Sequence, residues 1–162
     1  MEALVARWSC LILACMLSAC AAFLPPKPYY GETEGTLAVP YDSAWQRAVA
    51  VFATNNIPIS VLDKSSGYIA ANDVIVMENG RYSTRPPYLD CGGGILAVYG
   101  SFVANITVLL EAVAPDQTSF RINVTGKVFY KDNPDGSKRD PATKQCQSTG
   151  GFETTFLDSL RR

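Results

Sequence analysis

The chain has 162 residues, 48% of them hydrophobic and 18% charged, which is one domain's length with enough apolar content to pack a core. Fourteen basic side chains stand against 15 acidic ones, a net charge of −1, so the basic excess of a nucleic-acid binder is missing. There is no histidine, which excludes Ser-His-Asp and Cys-His catalysis, histidine-ligated zinc and histidine pH switches.

The N-terminus carries a targeting signal. Arg7 precedes an apolar run from Trp8 to Leu17, too short to cross a bilayer as a permanent helix but suited to a secretory signal peptide over residues 1–19. Leu17-Ser18-Ala19-Cys20 resembles the bacterial lipobox, in which small residues fit the signal peptidase and the cysteine thiol is acylated, with palmitate among the usual chains, before cleavage. The resemblance implies that Cys20 becomes the lipidated N-terminus; each buried methylene contributes about 0.8 kcal/mol to the anchor. Ala21 follows, rather than the aspartate that retains such lipoproteins in the inner membrane. The implied address is the inner leaflet of the cell outer membrane, with the domain in the periplasm. The other reading is an ordinary signal peptide cut after Ala19 or Ala22, with Cys20 a bystander.

Cys10 and Cys15 leave with the signal peptide, and Cys91 and Cys146 remain. An even pair in an oxidising compartment predicts a disulfide, worth roughly 4 kcal/mol through the constrained unfolded chain; two free thiols are the alternative. From Cys20 to Gly35 the chain reads as a tether, with Pro25, Pro26 and Pro28 and no hydrophobic period. Extended, it spans on the order of 40 Å at ~3 Å per residue, a spacer holding the domain off the lipid.

The domain is expected from Thr36 to Arg162. Thr36–Val39 is a short strand closed by Pro40. Asp42 or Ser43 caps a helix, with Gln46 at the capping-box position, and Trp45, Val49 and Phe52 mark its buried face until Asn55-Asn56. Ile57–Leu62, a turn at residues 63–67 and Tyr68–Met77 form a hairpin, with a bend at Asn72-Asp73. From Glu78 to Gly94 the pattern lapses into a long loop around Cys91. Then Phe102 to Ala112 and Phe120 to Tyr130 alternate apolar with polar, the sign of a half-buried antiparallel pair. Residues 131–144 are charged and turn-rich. Gly151–Arg162 closes the chain as a short helix with Phe152, Phe156, Leu157 and Leu160 on one face and Glu153 near its N-terminus. The fold class is α+β: an antiparallel sheet of about five to six strands against one long helix after the first strand and a short C-terminal helix.

Asp42-Ser43-Ala44-Trp45 opening a helix, then Ile57–Asp63, then Ser66-Gly67-Tyr68-Ile69, resemble the repeated domains of BamC, a lipoprotein subunit of the outer-membrane β-barrel assembly machinery. The likeness covers residues 36–75 and implies a helix-grip fold. The segments around Cys91-Gly92 and Cys146-Gln147-Ser148-Thr149-Gly150 resemble small proteobacterial lipoproteins.

No motif singles out catalytic chemistry. There is no Ser-x-x-Lys and no Cys-x-x-Cys, and Gly92-Gly93-Gly94 lacks a phosphate-loop frame. Asp132, Asp135 and Asp140 miss the register of a calcium loop. Asn105-Ile106-Thr107 and Asn123-Val124-Thr125 match the glycosylation sequon by chance, inside strands. The expectation is a non-enzymatic envelope scaffold without metal or cofactor, joined to the membrane by its acyl chains and to an envelope protein through Tyr82, Arg85 and Tyr88, which lie beside Pro86-Pro87. The alternative is a carrier of a lipid or cell-wall fragment in a helix-grip cavity.

Overall fold

The computed structural model describes residues 23–81, 87–94, 99–132, 135–138 and 143–162. Its centre is the hairpin predicted by the longest alternation: β7 (Tyr99–Ala114) and β8 (Gln117–Tyr130), antiparallel and in register from Gly100↔Tyr130 to Ala112↔Thr118. Even-numbered residues of β8 point inward from Thr118 to Val128, and odd-numbered ones point outward. The remaining strands are β1 (Phe23–Leu24), β2 (Glu34–Leu37), β3 (Val61–Asp63), β4 (Tyr68–Arg81), β5 (Leu89–Asp90), β6 (Gly93–Gly94) and β9 (Thr143–Ser148). The helices are α1 (Tyr41–Thr54) and α2 (Gly151–Arg161).

The fold is α+β. Seven strands make one antiparallel sheet in the order β3-β4-β7-β8-β9-β5, and β2 shares the outer edge of β8 with β9. β1 and β6 form a separate two-stranded ladder. The sheet exceeds the expected five to six strands because β5 and β9 form where the sequence reads as loop. β9 lacks a hydrophobic alternation; only Cys146 and Ser148 are buried. It is held instead by its pairing with β8 and by Cys91, whose sulfur stands at bonding distance from that of Cys146, 55 residues away in sequence. β4 likewise runs on to Arg81, past the expected end at Met77. The expected strand over Ile57–Leu62 shrinks to Val61–Asp63, because Pro58 cannot donate to a ladder. The bend at Asn72-Asp73 is a β-bulge: the register with β7 shifts between Ala71 and Val74, and Asp73 has φ 52°.

One face of the sheet is covered. Ile69 and Ala71 of β4, Phe102, Ile106 and Leu110 of β7, and Phe120, Ile122 and Val128 of β8 share a core with both helices. α1 contributes Ala44, Trp45, Ala48, Val51 and Phe52, and α2 contributes Phe152, Phe156, Leu157 and Leu160. The helices meet through the edge-on rings of Phe52 and Phe152, 5.4 Å apart, and through Arg47, which donates to the carbonyl of Leu160 at 2.7 Å. α1 starts at Tyr41 rather than at a Ser43 cap. Its first bond runs from the Ala44 N–H to the Pro40 carbonyl, and no side chain caps it. Asp42 is drawn instead to Lys64, at 2.7 Å.

Candidate interaction surface

The N-terminal segment is not the free spacer that its prolines suggest. From residue 27 it is strapped to the domain. The Lys27 N–H donates to Asp90 Oδ2 at 3.2 Å. The Tyr29 ring lies over Gly150, where a Cβ would come within 2.2 Å of it. Glu32 pairs with Arg161, the Thr33 carbonyl accepts from the Ile122 N–H, and Glu34 pairs with Arg121. The strap thus runs from β8 past the start of α2 to β5, and β1 then pairs with β6 beyond the Cys91–Cys146 pair. Bare Gly150, at φ 81°, provides both the left-handed turn into α2 and the seat for Tyr29. Composition alone conceals this docking, since the holding contacts come from residues far away in sequence.

Of the candidate partner residues, Tyr82 and Arg85 lie outside the described residues, as does the lipidation candidate Cys20. Tyr88 is half-buried. Its ring packs edge-on against Phe152 with centroids 6.0 Å apart, and its carbonyl accepts from the Thr149 N–H. Burial raises its phenol pKa above the usual value. Tyr88 therefore serves the junction of β5, β9 and α2.

That junction also holds Glu153, buried near the start of α2. Ser148 donates to its Oε1 at 2.6 Å and accepts from the Gly150 N–H, while Oε2 has no hydrogen-bond partner. The hydroxyl links the end of β9 to the first turn of α2, a contact that the spacing of Ser148 and Glu153 permits but does not announce.

The far end of the sheet is different. On its outer edge β4 pairs with Val61–Asp63 from Tyr68 to Ala70, and Ser60 extends that contact, its N–H donating to the Ala70 carbonyl at 2.8 Å and its hydroxyl accepting from the Asn72 N–H at 3.0 Å; beyond Asn72 no strand among the described residues pairs with that edge. Beyond it, Ile75 is 58% exposed, and on β3 Leu62 is 53% exposed, with Val61 also open. In the unbroken apolar run Val74-Ile75-Val76-Met77, strand alternation must turn one set outward; that signal was present in the sequence, but a run long enough to read as fully buried masked it. Two further depressions lie elsewhere. A groove of about 510 Å³ on the outer sheet face is lined by Glu34, Thr36, Leu109, Glu111, Ser119 and Arg121. A smaller one of about 320 Å³ sits between Tyr41, the 64–67 turn and the end of β7.

The acidic loop after β8 is locally satisfied. Asp132 pairs with Lys138 at 2.7 Å, and Asp135 accepts from the Ser137 amide and hydroxyl. Those bonds hold its carboxyl below the usual carboxylate range. Asp140 lies outside the described residues. Among the described residues no three acidic or cysteine side chains are placed to hold a metal ion, and no helix is long and apolar enough to cross a membrane. The sequon residues form a checkerboard on the open sheet face, Asn105 opposite Thr125 and Thr107 opposite Asn123. Asn105 has structural work there: its Oδ1 accepts from the Asp73 N–H at 2.8 Å and steadies the bulge. Compared with known proteins, the chain matches no protein-family model and no curated protein.

Proposed function

We propose that this chain is a non-catalytic lipoprotein of the bacterial envelope, anchored through Cys20 in the inner leaflet of the outer membrane, and that it engages another envelope protein at the β3–β4 end of its sheet. An accessory role in outer-membrane assembly is the specific form of this reading, and a helix-grip packing of α1 on the sheet is its structural counterpart. The observation that carries it is that, among the described residues, the outer edge of β4 has no strand partner beyond Asn72, where Ile75 is exposed, with Leu62 and Val61 exposed on the adjoining β3. An extended segment of a partner adds to such an edge through main-chain hydrogen bonds, and the flanking apolar side chains supply the contact area. The carrier reading has less support, because Phe52, Phe102, Phe152, Phe156, Ile106 and Leu110 fill the space between helices and sheet with fully buried side chains.

The test is photo-crosslinking in cells. A benzophenone amino acid at position 62 or 75 of the full-length lipoprotein is expected to give one reproducible protein adduct, while the same probe at position 129, on β8, gives none. Ile75→Lys should abolish the adduct formed from position 62 and leave the melting temperature unchanged. Equal labelling from all three positions would remove the edge as the partner surface.

A further inference from the structure

The strap fixes more than its own conformation; it also sets how the domain meets the lipid. We propose that the β5 end of the sheet, with the β1–β6 ladder and Tyr30, rests directly on the membrane surface, so that the domain is held in one orientation and the β3–β4 end faces away. The inference rests on the acylation of Cys20 proposed above.

Chain length carries the first step. Only Ala21 and Ala22 separate Cys20 from Phe23, the first residue of β1. Three residue steps reach at most about 11 Å. The polar layer of one leaflet is roughly 5–8 Å thick, so β1 cannot stand more than a few ångströms clear of it. β1 in turn is paired with Gly93–Gly94, two residues after Cys91, whose sulfur stands at bonding distance from that of Cys146 on β9. Lys27, Tyr29, Glu32 and Thr33 then hold the strap to β5, the start of α2, the end of α2 and β8. From Phe23 onward the segment is thus held to the domain by β1 and by these four residues, and only the three steps from Cys20 to Phe23 precede them.

Surface chemistry carries the second step. Tyr30 is 90% exposed and lies three positions after Lys27, itself exposed. A tyrosine ring and a lysine stem are both suited to the boundary between headgroups and acyl chains. The carboxylates nearby are already engaged: Asp90 accepts from the Lys27 and Gly92 amides, and Glu32 is paired with Arg161. Sheet order supplies the third step. β5 and β3 terminate opposite ends of the order β3-β4-β7-β8-β9-β5, and at ~4.8 Å per strand this separates them by roughly 24 Å. An anchor beside β5 therefore leaves the open β4 edge exposed to soluble or membrane-embedded partners.

The experiment uses the full-length lipoprotein, purified from membranes and reconstituted into vesicles of phosphatidylethanolamine and phosphatidylglycerol with brominated acyl chains. An environment-sensitive fluorescent amino acid is placed at position 30 or position 62, and mass spectrometry establishes acylation of each sample. The expected result is strong quenching at position 30 and none at position 62. A long Gly-Ser insert between Ala22 and Phe23 should abolish the quenching at position 30 while the protein stays vesicle-bound. An acylated protein quenched equally at both positions, or one in which the insert changes nothing, overturns the orientation and leaves the proposed function standing. An unacylated chain overturns both.

Discussion

Gly67 shows how much one residue position can decide. It closes the β3–β4 turn at φ 69°, and its carbonyl accepts from the Leu110 N–H at 2.9 Å. A Cβ there would lie 1.8 Å from the Leu110 carbonyl oxygen, a backbone atom of β7 that cannot move alone. Left-handed strain and this clash act together, so Gly67→Ala should destabilise the fold by about 2–4 kcal/mol, read as a lower urea midpoint at unchanged slope. Asp63, at the other end of the same turn, accepts from the hydroxyls and amides of Ser65 and Ser66, and these bonds lower its carboxyl pKa from 3.8. A carboxyl depressed in the folded state contributes stability above its unfolded pKa and loses that contribution as pH falls from there through the folded value. Acid titration of stability should therefore show a loss beginning near pH 3.8 that is reduced in Asp63→Asn. An unchanged acid limb in that variant would place the loss on other carboxylates.

At the scale of elements, β9 and β5 depend on the Cys91–Cys146 contact in a way that β7 and β8 do not. β7 and β8 are joined by a two-residue turn and bury a continuous alternating face. β9 buries only Cys146 and Ser148, and β5 pairs with it at just two positions. Cys91→Ala or Cys146→Ala should cost about 4 kcal/mol if the oxidised bond forms in the native protein, and non-reducing mass analysis of the wild type must show two hydrogens fewer than the dithiol. This dependence also explains what could be read in advance. The β7–β8 pair, α1 and α2 were legible because burial dictates their periodicity. β9 was not, since Thr143-Lys144-Gln145-Cys146-Gln147-Ser148 carries no such pattern and its order comes from pairing and a covalent partner. The strap was hidden for the same reason, and so was the early start of α1, where Lys64 takes Asp42 away from capping. The cysteine pair was legible by counting; the open β4 edge was not, because an apolar run does not say which of its residues lacks a neighbour.

Across the whole molecule these differences make the sheet mechanically unequal. Its middle is β7 and β8, each paired along most of its length, with inward side chains from Phe102 to Leu110 and from Thr118 to Val128 packed beneath both helices. One flank is tied down by the strap, by Tyr88 on Phe152 and by the cysteine pair. The other ends in three-residue β3, every residue of which is exposed. Amides protected by few buried contacts exchange through small local openings, whereas those in the core wait for global unfolding. Native-state hydrogen exchange should therefore rank β7 and β8 slowest, β9 intermediate and β3 fastest. Reduction of the cysteine pair should move β9 and β5 towards the fast class while leaving β3 unchanged, because β3 lies at the opposite end of the strand order. If reduction instead sped exchange uniformly across the sheet, the two flanks would be one cooperative unit. A flank that opens easily is also one that can accept a partner strand with little reorganisation, so slow exchange in β3 would count against the β4 edge as the docking surface even if the domain proved stable.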